Sequence, residues 1–307
     1  MTAYTFFIES SQKRFIKNAF STYLAPAVVK QLMDNPETLV LGGEKRKITA
    51  FFSDVQSFTS ISEKLEPDEL VALLNEFLTE MTDIILEYNG TVDKFEGDAI
   101  IAFFGAPGEL INQEEIACIV SLKMQQRLSE LREKWRKEGK PELYMRIGMD
   151  TGTAVVGNMG SQNRMDYTMM GDTVNIAARL EGVNKVYGCY SLISKDTYLP
   201  AAATGSIFGR ELDSVLLVGK KEPIDIYEVI GFAKDIHDDT KAMVNYYKDA
   251  LHAYRKHDWD KAIDLFKKAQ SLFPEDKPIL TMLKRCREFK SSPPPKNWNS
   301  VFKMTSK

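Results

Sequence analysis

Apolar and polar positions change rhythm several times along this chain. Through residues 1–34 the apolar side chains form a broken helical stripe of Phe7, Phe15, Ala19, Phe20, Tyr23, Leu24, Val28 and Leu32. An apolar helical face needs a partner, either the main body or a second copy of itself. Pro26 bends or splits this helix, because proline lacks the N–H that helical pairing uses. Residues 35–47 are polar, contain Pro36 and Gly42-Gly43, and read as a linker. Alternation begins at residue 48, so residues 48–54 predict a strand. Pro67 opens a helix in which Leu70, Leu74, Phe77, Met81, Ile84 and Tyr88 recur at helical spacing, and Asn89-Gly90 closes it. Residues 91–96 and 99–104 predict a hairpin. Residues 114–138 predict a long helix with Ile116, Val120, Leu131 and Trp135 on its apolar side. Residues 143–150 predict another strand, followed by GTAVVG and by DYTMMGDTVNIAARLE, which passes from strand to helix. Short strands continue to residue 230. The order β-α-α-β-β-α-β predicts an α+β sandwich of the ferredoxin-like, palm type, with helices on one face of a mostly antiparallel sheet.

Beyond about residue 236 the texture is helical only. The stretch YYKDALHAYRKHDWDKAIDLFKKAQSLFPED predicts two amphipathic helices around Asp258-Trp259, ending at Pro274. It resembles a single tetratricopeptide-type repeat through Ala262, Phe266, Ala269 and Pro274. One repeat cannot bury its own face, so it is expected to dock on the body or on another chain. The proline-rich tail SSPPPKNWNSVFKMTSK is expected to lie along a surface. Three units follow: 1–45, a helical dimerisation or transducer segment with linker; 46–230, the central domain; and 236–307, the helical segment and tail.

Composition narrows the function. At 44% hydrophobic and 27% charged over 307 residues, the chain reads as a soluble globular protein. A formal net charge of -3 gives no electrostatic reason to expect nucleic acid. Cys118, Cys189 and Cys286 have no paired spacing, which predicts neither disulfides nor zinc and points to a reducing, cytoplasmic setting. No apolar run approaches the ~20 residues that span a bilayer. All three histidines, His237, His252 and His257, lie near the C-terminus, so the central region has no histidine base.

Its acids are more informative. Asp54 ends the run ITAFFSD, and Asp98 sits at the tip of the hairpin TVDKFEGDAIIAFFG. On neighbouring strands ~4.8 Å apart the two carboxylates could meet common cations, and hard oxygen ligands with open positions suit Mg²⁺. Taken singly, each reads more simply as a strand-end or turn carboxylate, since isolated acids at strand ends are common. After Asp54, the run from Val55 through Phe58 and Thr59 enters a short helix whose backbone N–H groups offer anion sites. Asn175 and Arg179, four apart on the helix opened by Gly171-Asp172, share a face, and Arg179 provides a fork for phosphate oxygens. A solvated helix face is the alternative for that pair.

The segments FFSDVQSFT, DKFEGDAIIAFFG and YTMMGDTVNIAARLE together resemble the signature segments of class III nucleotidyl cyclases, in order and spacing, over about residues 46–230. The flanking helices resemble those of bacterial receptor-type cyclases, whose upstream part is a membrane-anchored sensor. This resemblance implies a head-to-tail homodimer with two interfacial sites and ATP as substrate. It implies two Mg²⁺ (with Mn²⁺ as a substitute) held by Asp54, Asp98 and the Val55 carbonyl. Lys94 and Thr168 would read the base, Asn175 and Arg179 of the partner would steady the ribose and transition state, and Arg164 and Lys220 would contact the triphosphate. Ser57 departs from the usual glycine, and Val218 stands where many members carry a lysine before Gly-Lys. Hydrogen bonding supports adenine independently. Lysine only donates, which suits adenine N1, and a threonine hydroxyl can accept from the N6 amine. Guanylate cyclases of the family carry glutamate and cysteine at these positions. The lysine–threonine pair resembles a bicarbonate-responsive subgroup. Rival readings are a guanylate cyclase, a diguanylate cyclase (whose Gly-Gly-acid-acid-Phe turn is replaced by EGDA) and a catalytically inert dimerisation module.

Overall fold

The computed structural model describes residues 25–35, 37, 40–295 and 297–304. Most of the N-terminal stripe, Phe7 through Leu24, therefore lies outside the described residues. The part that is described forms α1 (Pro26–Asp34), with Pro26 in its first turn, where a missing N–H costs nothing.

A mixed sheet of nine strands carries the molecule. β1 (Gly42–Val55) is the first strand, and α2 (Phe58–Ser62) and α3 (Pro67–Glu87) follow it. The hairpin β2 (Thr91–Glu96) and β3 (Ala99–Phe104), α4 (Gln113–Lys137), β4 (Met145–Ser161), β5 (Arg164–Met170) and α5 (Asp172–Tyr187) come next. After them run β6 (Ser191–Ser194), α6 (Lys195–Ala203), β7 (Ile207–Leu216) and β8 (Ile224–Phe232). The chain closes with α7 (Asp238–Arg255), α8 (Trp259–Leu272), α9 (Lys277–Ser291) and β9 (Phe302–Lys303). The strand order is β2-β3-β1-β4-β6-β8-β7-β9, with β5 paired to β4. Pairings are antiparallel except β4 with β6 and β7 with β9.

The α+β class and element order expected from the sequence hold. β1, however, begins at Gly42 rather than residue 48. Its first residues are exposed and lack an apolar rhythm, yet they continue the backbone ladder with β4, Gly42 opposite Asn158. Glycine permits this close approach: a Cβ on Gly157 would lie 2.3 Å from the Gly42 carbonyl oxygen. β4 likewise runs unbroken through GTAVVG.

Alternate residues of the strands feed two cores. Phe51, Ile100, Ala102, Phe104, Ile147 and Met149 face α3 and α4, where Leu73, Phe77, Met81 and Ile85 recur every four residues. Ile48, Ala50, Ile101, Phe103 and Ala154 face the other way, against Met169 of β5 and Ala177 of α5. Helices thus cover both faces rather than the one expected from the sequence, because α5 packs opposite α3 and α4, and it crosses β4 so closely that a Cβ on Gly148 would sit 2.1 Å from the Glu181 nitrogen.

The C-terminal helices are three, not two. They share a buried cluster with Leu180 and Val183 of α5 and with Leu212, Val215 and Ile226 of β7 and β8. Fully buried Asp213 ion-pairs with Arg285 and accepts from the Tyr187 hydroxyl at 2.7 Å. Arg210 pairs with both Glu228 and Asp276 at 2.7 Å. The tail adds β9 beside β7, Val215 opposite Phe302. Among the described residues no helix is long and apolar enough to cross a membrane.

Candidate active site

Ser53 of β1 lies opposite Ile100 of β3, so continuing each strand by a residue or two brings Asp54 and the β2–β3 turn to one corner. There the Val55 N–H donates to Asp98 Oδ2 at 3.0 Å. Burial above all, and then the facing Asp54, push the Asp98 carboxyl up to about 6, against the pull of the Val55 N–H. Two carboxylates that repel across a half-buried corner form a donor set that a divalent cation would relieve, and so few protein oxygens suit Mg²⁺, which retains water and phosphate ligands. Groups of three or more His, Cys, Asp or Glu able to hold a metal are absent among the described residues.

Arg146 had no place in the sequence reading. Its Nη2 lies 3.4 Å from Asp54 Oδ2, and its Nε donates to Glu181 Oε1 on α5 at 2.9 Å. A lone arginine in the apolar strand MRIGMD was the available signal, since a cation buried on a sheet requires a partner.

The approach to α2 explains the usual glycine at position 57. Ser57 has φ 57° and ψ 30°, the left-handed region that costs a side-chain-bearing residue about 1–2 kcal/mol. Phe58 turns its ring to the core, leaving the first backbone N–H groups of α2, at Phe58 and Thr59, without intrahelical acceptors.

β2 runs close to β5 and brings the two expected base contacts together. Thr168, buried on β5, donates its hydroxyl to Asp93 Oδ2 at 2.5 Å, and Lys94 Nζ lies 3.5 Å from Asp93 Oδ1. On α5, Asn175 is exposed and donates to the Gly171 carbonyl at 3.1 Å. Arg179 is half-buried, and its Nη1 is a buried donor without an acceptor. Its Nη2 lies beneath the β7–β8 loop, 3.6 Å from where a Gly219 Cβ would stand. Lys220 of that loop ion-pairs with Asp172, the first residue of α5. Arg164 is exposed at the start of β5, four residues before Thr168.

Asp54 and Asp98 therefore share one corner, Lys94 and Thr168 another, while Arg179 and Lys220 meet α5 and the β7–β8 loop. Among the described residues no hydrogen bond or ion pair joins Asp54 or Asp98 to Lys94 or Thr168.

The family of adenylate and guanylate cyclase catalytic domains matches residues 42–228. This chain belongs to that family. It is 35% identical over 218 residues to adenylate cyclase 1 of Rhizobium meliloti, an alignment covering 71% of this chain and 32% of the relative. The chain thus spans about a third of that curated relative's length. Among solved structures it is similar to the adenylyl cyclase CyaB from P. aeruginosa, with a TM-score of 0.58 and 38% identity over 64% of this chain and 100% of that one. It is similar as well to the guanylyl cyclase Cya2, with a TM-score of 0.57 and 34% identity over 64% of this chain and 98% of that one. An adenylyl and a guanylyl cyclase match this cyclase domain about equally well, so choosing the base falls to individual side chains.

Proposed function

We propose that this cyclase domain converts ATP to cyclic AMP and pyrophosphate in intracellular signalling. The observation carrying the choice of ATP is the pairing of Lys94 with Thr168 around one carboxylate. An ammonium group donates to adenine N1 and a hydroxyl oxygen accepts from N6, whereas guanine presents the reverse pattern on that edge.

In this reading two copies associate head to tail and form two sites at their interface. One chain offers Asp54, Asp98 and the Val55 carbonyl to Mg²⁺. The other offers Lys94 and Thr168 to the base, with Asn175 and Arg179 against the ribose and the reacting phosphate. Held by these groups, magnesium (or manganese) would lower the pKa of the ribose 3′-hydroxyl and offset triphosphate charge. The 3′-oxygen forms a bond to the α-phosphorus as the bond to pyrophosphate breaks in line. Arg179 holds a buried, unpartnered donor, which is suited to accepting charge that grows on the phosphorane. The N–H groups of Phe58 and Thr59, with Lys220 and Arg164, are placed in this reading along the triphosphate. Lys220 must exchange Asp172 for phosphate to do so.

The test is turnover of Mg-ATP and Mg-GTP by the purified chain across protein concentration. Cyclic AMP should dominate, with specific activity rising as dimers form. Asp98→Ala should lower turnover about a thousandfold, which corresponds to several kcal/mol of lost transition-state stabilisation. Near-normal activity in that variant, or cyclic GMP as the main product, would overturn the reading.

A further inference from the structure

A threonine hydroxyl is ambidextrous. It can accept from the amine of adenine or donate to the carbonyl of guanine, so by itself it discriminates poorly between them. At Thr168 that freedom is absent. The hydroxyl proton points to Asp93 Oδ2 at 2.5 Å, and the Asp93 side chain is only 2% exposed. Its other oxygen faces the Lys94 ammonium at 3.5 Å, an ion pair longer than a formed hydrogen bond. Asp93 thus fixes the Thr168 hydroxyl by a hydrogen bond, while its Oδ1 lies near Lys94 without accepting one.

We propose that Asp93 is the residue that sets base selectivity, acting through Thr168: by taking the hydroxyl proton it leaves only oxygen lone pairs for the base. Lys94, whose ammonium makes no hydrogen bond to Asp93, is the donor to the neighbouring ring nitrogen. The pocket then presents one acceptor and one donor in fixed order, complementary to adenine and opposed to guanine. Asp93 touches no substrate atom and is a positioning residue. Burial pushes its carboxyl up and the nearby Asp166 adds to this, while the Thr168 hydroxyl and Lys94 act against both.

This inference rests on the reading of Lys94 and Thr168 as base contacts, and the experiment separates the two. Steady-state kcat/KM for Mg-ATP and Mg-GTP is compared in the wild-type chain, Asp93→Asn, Thr168→Val, Lys94→Ala and the double variant Asp93→Asn/Thr168→Val. An asparagine amide of the same shape can donate to the threonine oxygen and turn the hydroxyl proton outward. Asp93→Asn should therefore lower the ATP-to-GTP ratio about tenfold, the worth of one hydrogen bond between neutral partners. In the double variant, Asp93→Asn should add nothing to the effect of Thr168→Val, because both act through one hydroxyl. If Thr168→Val lowers the ratio and Asp93→Asn leaves it within twofold of wild type, the role assigned to Asp93 fails and the base contacts stand. A fall of kcat for both nucleotides at unchanged ratio overturns it equally, since a merely structural residue does that. If neither Thr168→Val nor Lys94→Ala moves the ratio, the base reading falls and takes this inference with it. Should Asp93→Asn melt early, Asp93→Ser repeats the measurement with a smaller polar group, judged by the same outcomes.

Discussion

At the scale of residues, the acids at the β1 corner make the sharpest prediction. Asp98 binds its proton more tightly in the fold than in the unfolded chain. Its contribution to metal-free stability is therefore fully present at pH below the ordinary carboxylate range and is lost as pH rises through about 6. Asp98→Asn removes the repulsion with Asp54, so the metal-free variant should melt above the metal-free wild type at pH 7, with the difference vanishing near pH 4. Mg²⁺ should reverse the order, raising the wild type by about 2.7 kcal/mol at a hundredfold excess over Kd and leaving the variant nearly unmoved. Thermal melts at the two pH values with and without Mg²⁺ check this. Asp54, Asp98, Lys94, Arg179 and Asn175 were picked out by the sequence as candidates, because each is a polar side chain in a recognisable local frame. Asp93 and Arg146 were not. Their roles depend on partners 75 and 92 positions away, and no local spacing announces such a contact.

Among elements, the join between α5 and β4 governs how Asn175 and Arg179 are presented. The helix lies directly on the strand at Gly148, where a methyl group would meet the Glu181 nitrogen at 2.1 Å and the Ala177 oxygen at 2.3 Å. Both are backbone atoms, so a larger residue must lift the helix. Gly148→Ala should cost about 1–3 kcal/mol in urea unfolding. It should also lower cyclic AMP formation in protein that remains fully folded, because Arg179 moves with the helix. Hydrophobic rhythm identified α3, whose buried line of Leu73, Phe77, Met81 and Ile85 keeps Phe77 and Met81 of the expected stripe, with Leu74, Ile84 and Tyr88 packed partly buried beside it. Rhythm failed where the backbone alone holds a strand, as at the polar start of β1. It failed again at α9, where Pro274 read as an end, although Asp276 caps a new helix by accepting from the Ile279 N–H at 2.9 Å.

The whole molecule supplies a test of the proposed assembly. If each site takes Asp54 and Asp98 from one chain and Arg179 from the other, Asp98→Ala and Arg179→Ala chains should each be inactive alone. Mixed in equal amounts, they should recover about a quarter of wild-type cyclic AMP formation, because half the dimers are mixed and each mixed dimer keeps one intact site of two. A mixture as inactive as its components would place every group of a site on one chain. Such exchange requires a body that stays soluble while it dissociates, and the short strand β9 bears on this. Beside it, the outer strand of the sheet bulges between Phe208 and Gly209 and again between Glu211 and Asp213. A kinked margin partly plugged by the chain's own last described strand offers a poor template for foreign strands. At this margin the sheet is in that way guarded against stacking into fibrous aggregates.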